Sequence, residues 1–273
     1  MEELWRKSSE MLGERPLLWL PVLLGDLLGF FATLGGSALV QKLVLDKFQY
    51  HSVLGGPVVA RPLTPALVRH ANLVAAAVTL PSDFIRLLLY TLAFLATAAL
   101  AMAYVRRDEK PAAAIALALR SQVGSIFSLS LRALAIYGGM LLLTGWMSEA
   151  LIAHGHKAVV VSGWPELGMG LIRVALLAWL VAPEAVYVLA KRQPTGERRK
   201  AVQIFAFGLG AVALLLGRFV TDNIRSVHIT SVPVRSLLEL SGSWIVALPY
   251  AVFFVCAAFT ALKTMGEADF EPS

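Results

Sequence analysis

The sequence predicts an all-α fold: a polytopic transmembrane helical bundle of about six spanning helices with interfacial helices beside them. Three observations predict it. Hydrophobic residues make up 58% of the 273, and the mean hydropathy is +0.71. Charged residues make up only 15%, against about 25% in globular domains. The apolar residues gather into runs of about 20, the length a helix needs to cross a hydrocarbon core.

The elements follow in order. Residues 1–16 mix four acids with three bases and read as a cytoplasmic N-terminal segment. Leu17–Val40 is the first span. It is longer than the apolar core of a signal peptide, so it reads as uncleaved, with Gly36-Ser37-Ala38 as the alternative cleavage point. Residues 41–83 form a long outer segment containing Gly55-Gly56-Pro57, Pro62 and an amphipathic stretch from Thr64 to Leu80. An extra-membrane helix and a half-inserted one both fit that stretch. Phe84–Val105 is the second span, with Ser82 and Asp83 as its N-cap. Pro111–Ser125 is apolar but short, with Arg120, Ser121, Gln122 and Ser125 on its polar side. It reads as an interfacial or reentrant helix feeding the third span, Ile126–Met147. Leu167–Ala190, Ala201–Val220 and Leu237–Leu262 are spans four to six. Residues 266–273 are an acidic tail. The whole chain reads as one membrane domain.

Orientation follows from the bases, which favour the cytoplasmic side. Arg106, Arg107, Lys110 and Arg120 fall on one side with the N-terminal segment. So does the short connection Lys191–Lys200, which carries five bases and one acid. The expectation is a bacterial inner-membrane protein with both termini cytoplasmic. The net charge of +6 then belongs to a face opposite anionic lipid headgroups. No nucleic-acid motif accompanies it.

Two joints look alike. Ala103-Tyr104-Val105-Arg106-Arg107 and Tyr187-Val188-Leu189-Ala190-Lys191-Arg192 each lead through a proline, Pro111 or Pro194, toward the next span. Together with Pro16 they hint at three helix pairs. With Arg15-Pro16-Leu17-Leu18 entering span one and Pro183-Glu184-Ala185-Val186 near the end of span four, the chain resembles uncharacterised bacterial six-helix membrane proteins. It is similar also to the membrane domain attached to some glycerophosphodiester phosphodiesterases. The resemblance implies a helical membrane bundle. No phosphodiesterase catalytic domain is present, and the family lends no catalytic residues.

Charged side chains at membrane depth are costly and usually face the bundle interior. Asp26 lies near the middle of span one with no cation at its depth. It reads either as a proton- or cation-coupling carboxylate or as a protonated structural carboxyl. Arg173 and Glu184 share a face of span four, and with Asp26 they define a candidate polar path. Arg132 and Glu184 lie at similar depth, as do Arg218 and Glu239, which predicts two ion pairs across helices. Gly25 and Gly29 permit a close helix contact, and Pro183 is expected to kink span four.

Cys256 is the lone cysteine and reads as a small packed hydrophobe. The histidines, His51, His70, His154, His156 and His228, all fall on the outer side. His154-Gly155-His156 is too sparse for a metal site. No GxSxG, HExxH, Walker A or CxxC motif occurs, so no catalytic residue, metal or cofactor is expected. The leading expectation is a small transporter or permease-like subunit in the lipid bilayer. The alternative is a structural or assembly partner that binds lipids, another membrane protein or a second copy of itself.

Overall fold

The structure is a computed structural model that describes residues 2–40, 64–108, 111–154, 164–226 and 232–266. Helices, and no strands, are found among the described residues: α1 (Glu2–Glu14), α2 (Trp19–Val40), α3 (Pro65–Arg106), α4 (Pro111–Ser121), α5 (Val123–Ala153), α6 (Trp164–Leu176), α7 (Ala182–Ala190), α8 (Gly196–Ser226) and α9 (Val232–Met265). Pro16–Leu18 is a short 3-10 turn leading into α2, and Leu177–Val181 is a π-turn that joins α6 to α7. Six segments among the described residues are long and apolar enough to cross a membrane: Pro16–Gly36, Asn72–Arg106, Val123–Leu151, Leu167–Ala190, Gly196–Ile224 and Leu238–Met265. Helices satisfy their own backbone groups, which is why they are one of the two structures that cross lipid.

Two boundaries differ from the sequence reading. The second span does not start at Phe84. Its helix begins at Pro65 and runs through Pro81, so Asp83 is no N-cap. A proline is tolerated inside a membrane helix where neighbours resatisfy the freed groups. At 42 residues α3 is about 63 Å long, twice the hydrocarbon thickness. About half of its length therefore exceeds the core. The amphipathic stretch up to Leu80 belongs, from Pro65, to this one helix and runs into the span at Asn72 rather than forming a separate helix. Residues 41–63 lie outside the described residues, as do His51, His156, His228 and the tail from 267. The apolar segment before span three is α4, which ends at Ser121, not Ser125. A single turn residue, Gln122, separates it from α5.

Span one shows how sequence dictates packing. Leu18, Val22, Gly25, Asp26 and Gly29 repeat at helical spacing and are buried. Leu17, Leu20, Leu24, Leu28 and Phe31 occupy the opposite face and are exposed, as lipid-facing side chains must be. The Gly25–Gly29 pair faces α3. A Cβ at Gly25 would meet the Ala93 Cβ at 2.8 Å, and one at Gly29 would meet Arg86 Cγ at 3.2 Å. Lipid offers no hydrophobic force between helices, so this close approach of small residues supplies the cohesion. The most buried helices, α3 and α9, are accordingly alanine-rich where they meet, with Ala93, Leu95, Ala98, Ala247, Ala251, Val255 and Ala258 in the core.

A group of basic residues lies at one end of the bundle. Arg15 lies over the Tyr104 ring, 5.4 Å from its centre. Arg198 Nη1 donates to the Lys263 carbonyl at 3.2 Å. On the same end α1 docks on α9, where Ser8 Oγ and Cys256 Sγ are 2.9 Å apart and buried. The two similar joints end in the same way. Arg107 and Lys191, just past α3 and α7, adopt left-handed backbone at φ 58 and 55. Gly266 at the end of α9 does likewise at φ 79.

Candidate functional site

Among the described residues, the helices leave a large space between them. It is a cavity of about 540 Å³ between α2, α3 and α9 on one side and α5 to α8 on the other. Its two halves differ in chemistry. The half away from the basic end carries the polar lining, Asp26, Asp83, Arg86, Tyr90, Glu239, Ser243 and Tyr250, interspersed with Val220, Ile224 and Val246. The other half is lined by Phe94, Leu129, Val181, Ala185, Leu209 and Phe254. The cavity is therefore amphiphilic along the bundle axis.

Asp26 is at the heart of the polar half and is 4% exposed. It is ten residues beyond Pro16, about 15 Å along the helix axis, which puts it near mid-membrane. Tyr90 of α3 donates its hydroxyl to Asp26 Oδ1 at 2.5 Å. Ser243 of α9 approaches Oδ2 at 2.6 Å. The carboxyl is thus partnered. The sequence shows no cation at its depth, and the partners that the fold supplies are neutral hydroxyls.

The Ser243 contact has a second side. Its Oγ is also 2.7 Å from the Leu240 carbonyl. A serine hydroxyl has one proton and two acceptor sites, so it cannot donate to both oxygens. When Ser243 donates to Asp26, the carboxylate is the acceptor on both oxygens. When Ser243 donates to Leu240, the short contact to Oδ2 requires a proton on Asp26. Rotation of one hydroxyl accommodates either protonation state without moving a heavy atom.

The other sequence candidates sort themselves around this centre. Arg173 stacks over Tyr137 with its guanidinium carbon 4.8 Å from the ring centre. Tyr137 lines the cavity, so Arg173 sits behind its wall. Glu184 does not join the path. Its Oε2 is 3.3 Å from Arg132 Nη1, and the wall beside it is made by Ala182 and Ala185. Arg132 and Glu184 thereby tie α5 to α7, with side chains 51% and 28% exposed. Arg218 is 3.7 Å from Asp222, one turn along its own helix, a neighbour that matching depths across helices does not bring into view. Glu239 lines the cavity.

Pro183 acts through its missing N–H. The residue four before it is Trp179, inside the π-turn, and the freed Trp179 carbonyl accepts from Gln203 Nε2 of α8 at 3.2 Å. The irregular turn is thereby held against α8 rather than left as a free hinge. Gln122 plays a similar part: its Nε2 donates at 3.1 Å to the Val188 carbonyl in the last turn of α7.

Sequence reasoning missed Asp83, Arg86 and Tyr90, which read locally as a helix start and an outer border. The signal was present: Asp83, Arg86, Tyr90 and Phe94 recur every three or four residues, the spacing of one helix face. Arg86 also lies over the Tyr90 ring at 5.7 Å, so a cation stands one residue away from the Asp26 network. A bidentate contact was missed as well. Arg69 Nε lies 3.0 and 3.1 Å from the Glu149 oxygens, joining the extension of α3 to the far end of α5. Both Arg69 and Glu149 are beyond the cavity.

Among the described residues, no group of three or more His, Cys, Asp or Glu could hold a metal. His154 Nδ1 faces the Ala150 carbonyl of its own helix at 2.8 Å. No family model matches the chain, and neither a curated protein nor a solved structure does.

Proposed function

We propose that this chain is a small transporter or permease-like subunit, and that the cavity around Asp26 is its substrate site. One observation supports the reading above all: a buried mid-membrane carboxyl lines a cavity of about 540 Å³ and is held by hydroxyls that accept either of its protonation states. Ionisable groups within membrane bundles commonly mark ion or proton pathways. Proton coupling needs a carboxyl that can gain and lose a proton where a substrate binds. The amphiphilic lining fits a substrate with a polar end and an apolar body.

The basic end of the bundle gathers Arg15, Arg106, Arg107, Lys191, Arg192 and Arg198. By the positive-inside tendency it faces the cytoplasm of a bacterial inner membrane, with both termini there. The polar half of the cavity then faces outward. The competing reading, an assembly partner, is weakened at one point. The glycine pair that would dock a partner helix, Gly25 and Gly29, already packs on α3 inside the bundle.

Two-sided thiol accessibility tests the reading. In a Cys256→Ala background, Val246→Cys places a single thiol on the cavity wall. Alternating access predicts its modification by membrane-impermeant reagents from either face of oriented vesicles. Protection from both faces, with detergent-unfolded protein reacting fully, would count against transport.

A further inference from the structure

A second cavity lies at the basic end, and it is chemically unlike the first. It has a volume of about 340 Å³ and is a groove between α8 and α9. On α8 its wall is Arg198, Ala201, Val202 and Phe205, spaced as one helical stripe. On α9 the stripe runs from Phe253 through Cys256, Ala257 and Thr260 to Lys263. Two cations stand at the mouth, both exposed, and no acid lines the wall among the described residues. The rest of the described wall is apolar apart from Thr260, whose hydroxyl donates to the Cys256 carbonyl at 2.8 Å. Helix α1 closes one flank, with Ser8 against Cys256 at 2.9 Å and the Trp5 ring 6.2 Å from that of Phe205.

We propose that this groove is a binding site for an anionic phospholipid, its phosphate held by Arg198 and Lys263 and one acyl chain lying along the apolar floor to Phe253. The inference is independent of the transport reading, since it rests on a different cavity. Three features select the occupant. Charge complementarity requires an anion: the neighbouring Lys191, Arg192, Arg199 and Lys200 are also exposed on this end, and basic pockets between helices on this side suit lipid headgroups. The floor requires an apolar tail. Lys263 to Phe253 is ten residues, about 15 Å along the axis, which a soluble phosphate would leave empty. The mouth requires a ligand at headgroup level, and it lies at the same end of the bundle as Arg15 and Arg106. Arg198 is held in place by its bond to the Lys263 carbonyl at 3.2 Å. That bond engages one of five guanidinium donors, so a phosphate can take others.

The test uses the purified full chain, stripped of lipid in detergent and titrated with phosphatidylglycerol, phosphatidylcholine of the same acyl chains, or inorganic phosphate. Native mass spectrometry reads the bound species. The expected result is retention of phosphatidylglycerol over phosphatidylcholine, reduced about tenfold or more in Arg198→Ala/Lys263→Ala. The control Arg199→Ala/Lys200→Ala removes the same charge outside the groove and is expected to bind like the parent. Ala201→Phe keeps both cations and fills the floor, and it too is expected to lose the lipid. Each variant is compared by thermal melting, and Arg198→Gln, which also removes the cation, stands in for Arg198→Ala if the latter fails to fold. Equal losses in the control pair would assign the binding to diffuse surface charge and overturn the site. Full displacement of the lipid by inorganic phosphate, or unchanged binding in Ala201→Phe, would leave an anion site without a lipid floor and overturn the lipid assignment.

Discussion

Asp26 and Glu184 both lie within spans of this protein, and their surroundings differ in kind. Asp26 is buried, borders the large cavity and is held by neutral hydroxyls. Glu184 is partly exposed, lies off the cavity wall and faces a cation, Arg132. An opposite charge fixes a carboxylate in its ionised form, which suits a strut between helices. Asp26 instead has hydroxyl partners, with the Arg86 guanidinium beyond Tyr90, and on the transport reading proposed above it is the group that exchanges protons. Partner chemistry thus separates an ion-paired acid from one held by hydroxyls where depth alone makes them look equivalent.

The largest effect is expected from destroying the central region outright. Asp26→Leu leaves the Tyr90 hydroxyl without its acceptor in a low-dielectric interior, with Ser243 still able to donate to the Leu240 carbonyl, and should cost about 2–3 kcal/mol in denaturant titrations in detergent. Asp26→Asn keeps an acceptor and the volume, so it should cost much less while abolishing any proton-linked behaviour. Equal destabilisation by both would mean that Asp26 is purely structural.

Next comes the helix contact that carries Asp26 to α3. Gly25→Val adds a branched side chain where even a Cβ would sit 2.8 Å from Ala93. It should cost about 1–3 kcal/mol by overpacking, whereas the same change at Gly35, where nothing lies within 4 Å, should be nearly silent. Comparable losses at both positions would refute the packing of the Gly25 face of α2 on α3. Gln203→Leu should cost about 1–2 kcal/mol, because it strips the freed Trp179 carbonyl of its donor. A neutral outcome in a melting assay would show that the π-turn needs no such support.

The smallest effect belongs to the strut. Glu184→Gln and Arg132→Gln should each lower stability slightly, with the double variant costing little more than either. The coupling should be about 1 kcal/mol or less, since both side chains reach solvent. Strictly additive losses would mean that the two do not interact.

Much of the fold was legible because it follows from run length. An apolar stretch of about 20 residues admits few fates, and basic residues at the joints set the ends. The long start of α3 was not legible, because Pro81 and polar Ser82 and Asp83 imitate a helix boundary when read locally. Whether a helix continues through a proline depends on neighbours the sequence does not place. The site divided in the same way. Asp26 was conspicuous, since a lone acid among leucines and glycines is costly. Its partners Tyr90 and Ser243 were not, because tyrosine and serine are unremarkable at any depth. They become meaningful only when α3 and α9 bring them from 64 and 217 residues away. The Arg132–Glu184 contact could be anticipated from depth because both partners are charged and rare.

The most direct measurement is the reactivity of the Asp26 carboxyl itself. The protein in liposomes is treated with a carboxyl-directed reagent across a range of pH, with Asp26→Asn as the background. The transport reading proposed above requires water in the cavity and proton exchange at this carboxyl, so it predicts labelling at Asp26 that changes with pH. No labelling at Asp26 at any pH, while the denatured protein labels fully, would mean a sealed structural carboxyl and would contradict a proton-exchanging site.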